Sequence, residues 1–243
     1  MSTVNIPGFE APYTFTHDGA SHPVYCRGEG PAILVMHELP GMTKQCIALC
    51  NTIADQGFRI YLPLLFGGVG KKAILGNTLR VCVSKEFHML AADRSSPIVD
   101  YFRALLVKAV EECGAAGQGK AGVIGMCLTG NFAITLIAEP GVNAAVAAQP
   151  SLPIRNATAL HMSATELQTV KDTVKQMGKD AVIGIKYDAD PMCPNARFER
   201  LKAELGDGFT PIVLPGNKHA TLTEHLDQGA LDKSLAYLRR QLL

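Results

Sequence analysis

Gly125-Met126-Cys127-Leu128-Thr129-Gly130 follows the apolar run Ala121–Ile124 and precedes Asn131–Ala138, which is apolar nearly all round. The pattern predicts a strand, an abrupt turn and a buried helix, with a thiol at the apex of the turn. A side chain squeezed into such a turn points out above a sheet, beside the N–H groups that begin a helix. The backbone doubles back on itself there, so small residues are needed close by, and Gly125 and Gly130 supply them. This is the geometry of a nucleophile elbow, with cysteine where serine is more usual.

Outward from the elbow, strand-like apolar runs alternate with helix-like periodic ones, as βαβ units around a mainly parallel sheet require. Upstream, Ala32–Met36 reads as a short buried strand, Met42–Gln56 as a helix stopped by Gly57, and Phe58–Pro63 as the next strand. Tyr13–His17 and Pro23–Gly28 have no helix between them and predict an antiparallel edge. Ser96 is expected to cap, and Pro97 to open, a helix through Glu112. Downstream, Val142–Ala148, Ala181–Tyr187 and Thr210–Leu214 read as strands. Ser163-Ala164-Thr165-Glu166 fits a capping box for a helix to Gln176, and Asn195–Leu205 and Ala230–Leu242 read as further helices.

The stretch Leu64–Asp93 gives no clear pattern. Its Phe66-Gly67-Gly68-Val69-Gly70-Lys71 lacks both the spacing of a phosphate loop and the Ser or Thr after its lysine. A surface excursion lining the active-site mouth is expected instead. There is no internal repeat, low-complexity tract or long linker. The expectation is one α/β domain over residues 1–243, its central sheet mainly parallel and flanked by helices on both faces.

A chain of 243 residues with 47% hydrophobic and 19% charged residues fits an ordinary globular protein with one large core. A net charge of +1 offers no field for nucleic acid or an anionic membrane. Met1–Pro12 lacks a basic start followed by an apolar stretch, and no later run approaches a membrane span, so a soluble cytoplasmic protein is expected. The seven cysteines are odd in number and scattered, which argues for a reducing compartment and against a disulfide framework. Cys46 and Cys50 have a spacing open to a metal pair, but with Leu49 and Ile53 they form one apolar helical face, and burial is the reading taken. His37-Glu38 is not followed by a second histidine at helical spacing, so a zinc-protease motif fails. Neither a metal nor a cofactor is expected.

A thiol nucleophile needs a base to take its proton and an acid to orient that base. Asp188-Ala189-Asp190 comes directly after the strand Ala181–Tyr187, and His219 follows the strand ending at Leu214 within Pro215-Gly216-Asn217-Lys218-His219-Ala220. Nucleophile, acid, histidine is the chain order of α/β-hydrolases. Each candidate also falls just past the C-terminal end of a strand, where ligands bind in open α/β sheets. Taken singly, Cys127 reads as a buried structural thiol and His219 as a surface histidine; the elbow and the Pro-Gly turn favour chemistry. Spacing alone leaves Asp188 and Asp190 both open.

Together these motifs resemble the dienelactone hydrolase family of α/β-hydrolases, from about Ala32 to the C-terminus. Gly125, Cys127 and Gly130 match its elbow, Glu38 its early glutamate in Val35-Met36-His37-Glu38-Leu39-Pro40-Gly41, Asp190 and Pro194 its aspartate motif, and Gly216 and His219 its histidine motif. The resemblance implies a Cys127–Asp190–His219 triad, and it selects Asp190 over Asp188. It also implies that Glu38 accepts a hydrogen bond from the resting thiol until substrate displaces it, consistent with the rule that one negative charge disfavours a second. A helix N-terminus and a histidine pull the sulfur the other way, toward thiolate.

The implied chemistry is acyl transfer. Cys127 attacks an ester or lactone carbonyl, and the backbone N–H groups of Leu128 and Leu39 receive the oxyanion, since Pro40 has no N–H to give. Two positions depart from the family. Thr129 stands where it has glycine, and Thr223 stands where the dienelactone enzymes carry an arginine that holds the substrate carboxylate. Losing that charge-assisted bond predicts a small neutral ester, lactone or activated aryl ester as substrate. Arg80, Lys85 and Arg155 are the cations that would compensate. Within this reading, promiscuous attack on activated phosphate triesters is expected to be possible; the competing readings are a peptidase or thioesterase, and a non-catalytic binding or redox-sensing protein using Cys127.

Overall fold

Every side chain of the strand Ala32–Met36 (β3) is buried: Ala32, Leu34 and Met36 face one apolar layer, Ile33 and Val35 the other. A strand covered on both faces must be apolar throughout, and its side chains alternate between the two layers. In the computed structural model, which describes residues 4–73, 76, 87, 93–153 and 156–243, this strand lies near the middle of an eight-stranded sheet.

The other strands are Tyr13–His17 (β1), Ala20–Arg27 (β2), Arg59–Pro63 (β4), Ala121–Met126 (β5), Val142–Ala148 (β6), Val182–Tyr187 (β7) and Phe209–Leu214 (β8). Their order is β1-β2-β4-β3-β5-β6-β7-β8. β1 pairs antiparallel with β2, and β2 with β4; all remaining pairs are parallel. The expected antiparallel edge is therefore present, and β2 begins three residues earlier than its apolar run suggested.

Helices cover both faces. Lys44–Ala54 (α1) and Gln228–Leu242 (α6) pack Cys46, Leu49, Cys50, Ile53, Leu235 and Leu238 on the side of Ile33 and Val35. Ile98–Gly117 (α2), Gly130–Leu136 (α3), Ala164–Met177 (α4) and Asn195–Leu205 (α5) cover the side of Leu34 and Met36. Local chemistry sets their ends. Thr43 accepts from the Cys46 N–H at the start of α1, and Ser163 with Glu166 forms the expected capping box of α4.

The capping role expected of Ser96 is a correction. Its hydroxyl is hydrogen-bonded to His161 Nε2 at 2.7 Å, and Pro97 takes the cap position without a side-chain bond. A buried imidazole 65 residues away competes successfully with the helix end for the same oxygen. Helix α2 also runs past Glu112 to Gly117, broken at Gly114, whose φ of 49° lies in the left-handed region that glycine enters at low cost.

Of the excursion 64–93, the described part folds back on the turn after β3. Gly70 N–H donates to the Met42 carbonyl at 2.8 Å and Ala73 N–H to that of Pro40 at 3.1 Å. No described helix is long and apolar enough to cross a membrane.

Candidate active site

The elbow forms where β5 ends. Cys127 has φ 56°, a left-handed conformation uncommon for a residue with a Cβ, and a 3-10 turn over Cys127–Thr129 leads directly into α3. The turn is tight enough to require its glycines. A Cβ on Gly125 would sit 2.2 Å from the Thr129 carbonyl oxygen, and one on Gly130 would sit 2.9 Å from Pro150 Cα. Thr129 does not disturb this geometry; it ties the turn together. Its Oγ1 accepts from the Met126 N–H at 2.9 Å and donates to the Met36 carbonyl at 2.8 Å.

That second bond reaches the end of β3. Met36 lies opposite Gly125 in the parallel β3–β5 register, so the His37-Glu38-Leu39 turn and the elbow emerge side by side. Leu128, in the 3-10 turn before α3, and Leu39, just past the end of β3, thus lie at the ends of neighbouring strands. The structure brings the other candidates to the same sheet edge: Asp190 three residues past β7 and His219 five past β8.

His219 Nδ1 lies 2.7 Å from Asp190 Oδ2. The other carboxylate oxygen, Asp190 Oδ1, accepts from the backbone N–H groups of Met192 at 2.9 Å and Cys193 at 3.3 Å, so the acid is held from both sides. Asp188 is exposed, and its Oδ1 accepts from the Gly216 N–H at 2.8 Å, fastening the acid loop to the histidine loop. His219 Nε2 is buried and makes no hydrogen bond of ordinary geometry. Burial alone would lower the pKa of this ring, but the bond to Asp190 and the Cys127 sulfur beside it raise it to about 10. The imidazole therefore lies between the Cys127 sulfur and the Asp190 carboxylate and is held in its charged form.

Glu38 is buried, and burial pushes its carboxyl above the usual carboxylate range. Its partners differ from the expected one. Oε1 is hydrogen-bonded by the Thr223 hydroxyl and Oε2 by Gln149 Nε2 at 3.3 Å, and no bond joins it to Cys127. No Lys or Arg among the described residues forms an ion pair with it. Arg80, Lys85 and Arg155 lie outside the described residues. Cys46 and Cys50 are buried on the inner face of α1 with their thiols in contact.

Sequence reasoning missed three buried polar groups near this edge. Gln149 follows β6 and bridges Glu38 to Thr221. Lys186 on β7 donates to the Cys193 carbonyl and to Asn195 Oδ1. The Arg197 guanidinium donates to the carbonyls of Ala159, Pro150, Pro153 and Asn156, bracing the loop after β6. The only signal for Gln149 is an amide placed directly after an alanine- and valine-rich strand.

His37 carries a stability consequence. Its Nε2 accepts from the Leu65 N–H at 3.0 Å, and its Nδ1–H donates to the Glu38 carbonyl at 3.1 Å, which fixes the neutral tautomer. Burial lowers its pKa from 6.5 to about 4. Between those values the unfolded chain binds a proton that the folded chain excludes. Stability is thus fully present above about pH 6.5 and falls by about 3 kcal/mol as pH drops toward 4. Urea unfolding of wild type and His37→Gln across this window should show a steeper decline for the wild type; equal declines would refute the assignment.

Strand order, elbow position and the edge that collects these side chains are those of an α/β-hydrolase. Two solved structures illustrate the likeness of fold. An esterase of Pyrococcus furiosus superposes with a TM-score of 0.69 at 11% identity, covering 99% of this chain and 97% of that one. A dienelactone hydrolase of Anabaena variabilis does so at 0.64 and 13%, covering 97% and 100%. No curated protein matches the sequence. The sequence model of the dienelactone hydrolase family matches residues 20–233, and the chain belongs to that family of hydrolases.

Proposed function

We propose that this protein hydrolyses carboxylic esters or lactones through a thioester on Cys127, with His219 and Asp190 completing the triad. The observation that carries the reading is the 2.7 Å Asp190–His219 bond, with the opposite ring nitrogen left for the thiol. Nε2 of His219 holds the proton given up by the thiol while sulfur adds to the carbonyl carbon, and the C=O electron pair moves onto oxygen. The N–H groups of Leu128 and Leu39 stabilise that oxyanion. Collapse expels the alkoxide, which takes the proton from Nε2. His219 then draws a proton from water as hydroxide adds to the thioester; collapse releases the carboxylic acid, and Nε2 returns its proton to the sulfur to restore the thiol.

Glu38 bears on substrate choice. A buried carboxyl whose partners are a hydroxyl and an amide gives a substrate carboxylate nothing to pair with, and any charge it carries repels one. Thr223 stands where the dienelactone enzymes hold that group with an arginine. The preferred substrates are therefore small neutral esters or lactones, and the six described cysteines, all free thiols, fit a reducing compartment such as the cytoplasm. The same sulfur and oxyanion donors suit activated phosphate triesters as a side reaction.

Steady-state assays of p-nitrophenyl butyrate and dienelactone side by side test this. We expect kcat/KM at least about tenfold higher for the neutral ester, the scale of one lost charge-assisted contact. Dienelactone as by far the better substrate would overturn the assignment of substrate class, and turnover of neither would overturn the hydrolytic reading.

A further inference from the structure

Gln149 occupies a conformation that its sequence does not favour. Its φ is 36°, its side chain is wholly buried, and its backbone is pinned by its own N–H to the Ile185 carbonyl at 2.6 Å. A long amide side chain held in a left-handed turn at the active-site edge calls for a physical reason. The hydrogen bonds supply one.

Gln149 Oε1 accepts from both the backbone N–H of Thr221 at 3.2 Å and the Thr221 hydroxyl at 2.6 Å. A backbone N–H can only donate, so the amide oxygen must face Thr221 and the amide nitrogen must face Glu38. That nitrogen donates to Glu38 Oε2, and Glu38 Oε1 is bonded by Thr223. The result is a closed ring: histidine loop, Gln149, Glu38, and back to the histidine loop. Thr221 and Thr223 lie two and four residues beyond His219, so the ring holds the loop that presents the imidazole at two points. Asp190 sets the direction of that imidazole, but one hydrogen bond at one nitrogen does not set its height above the sulfur.

We infer that Gln149 is a positioning residue for the hydrolysis proposed above: by clamping Thr221 against Glu38 it sets the distance between His219 and Cys127. The inference rests on that reading. Displacement of a proton carrier by about 1 Å costs on the order of 100-fold in rate.

Two substitutions separate clamping from mere filling of space. Gln149→Leu keeps the bulk and removes both polar ends. Gln149→Glu keeps the shape and the acceptor toward Thr221, but puts an oxygen where Glu38 needs a donor. When both carboxyls are ionised they repel; when they share one proton, an O–H donor replaces the lost N–H. The charged or titratable groups around them are Glu38 itself, His219 and Glu224 of the histidine loop, Cys46 of α1 and Cys127 at the elbow. All are present in wild type, so the activity ratio of variant to wild type isolates the new carboxyl.

The experiment measures kcat and KM for p-nitrophenyl butyrate from pH 5.5 to 9, and in parallel the rate at which iodoacetamide alkylates Cys127, read by mass spectrometry. Folding of each variant is checked by thermal unfolding. We expect Gln149→Leu to lower kcat about 10- to 100-fold with KM within about threefold. Gln149→Glu should be as impaired at pH 8.5 and regain at least about fivefold relative to wild type by pH 5.5, as the shared proton returns. Variants within twofold of wild type, or a deficit in Gln149→Glu that does not change with pH, would overturn the inference. Should Gln149→Leu fail to fold, the isosteric Gln149→Glu decides alone. If wild type itself shows no turnover that depends on Cys127, the hydrolytic reading fails separately. The clamp is then judged by alkylation: a pH profile altered by Gln149→Glu supports it, and an unaltered one overturns it.

Discussion

Cys127→Ala is expected to lower kcat for p-nitrophenyl butyrate by about 10⁴-fold or more, leaving only what the oxyanion donors and binding supply. The size follows from what the sulfur does. In the proposed mechanism it is the atom that forms the bond to the acyl carbon, so its loss removes the covalent route, whereas loss of a single oxyanion donor costs about 10²- to 10³-fold. Alanine retains the backbone of the elbow, where Cys127 sits at φ 56° between Gly125 and Gly130, and it opens only a small void beneath the crevice. Thermal unfolding should therefore differ little from wild type. The positive counterpart is chemical: brief incubation of wild type with p-nitrophenyl butyrate, acid quench and mass spectrometry should reveal one butyryl group on Cys127. Unchanged turnover in Cys127→Ala, with no acyl group at the sulfur, would sink the nucleophile assignment. It would leave an oxidisable thiol on a hydrolase scaffold as the surviving reading.

The parts of this molecule that could be read in advance share a physical cause. Strands covered on both faces must be largely apolar, so Ala32–Met36, and Val142–Ala148 apart from its half-buried Asn143, announce themselves and their bounds agree with the structure. The elbow was legible because crowding leaves glycine as the tolerated residue at 125 and 130. What escaped notice depends on partners far away in sequence. Ser96 looks like a cap until His161 takes its hydroxyl. Nothing in the sequence marks Arg197 of α5 as buried, since arginine is rarely buried without a counter-ion, yet four carbonyls from the loop after β6 satisfy it. Glu38 could be located through the family resemblance, but its partners could not: Thr223 is 185 positions away and Gln149 is 111. Periodicity reports which face of an element is buried and carries no information about which loop will meet it.

The two aspartates of Asp188-Ala189-Asp190 should respond very differently to the same change. In Asp190→Asn the side chain has one oxygen and one NH2 group to distribute. Two backbone N–H groups, from Met192 and Cys193, point at the present Oδ1 and can only donate, so the oxygen must stay with them. The NH2 group is left facing His219 Nδ1, the nitrogen now 2.7 Å from Oδ2. That nitrogen must then accept, which moves the ring hydrogen to Nε2, where it blocks the very position that has to receive the thiol proton. The charge that helps raise the His219 pKa to about 10 is lost as well. We expect kcat to fall about 10³- to 10⁴-fold with KM little changed. In Asp188→Asn the side chain still offers an oxygen to the Gly216 N–H. The site is exposed and the hydrogen bond is worth about 1 kcal/mol at most, so kcat should stay within about threefold of wild type. Steady-state kinetics on the two variants, with the pH profile of kcat/KM, distinguishes them. Equal losses would mean that the Asp190–His219 bond does not set the tautomer, and the acid of the triad would have to be sought elsewhere.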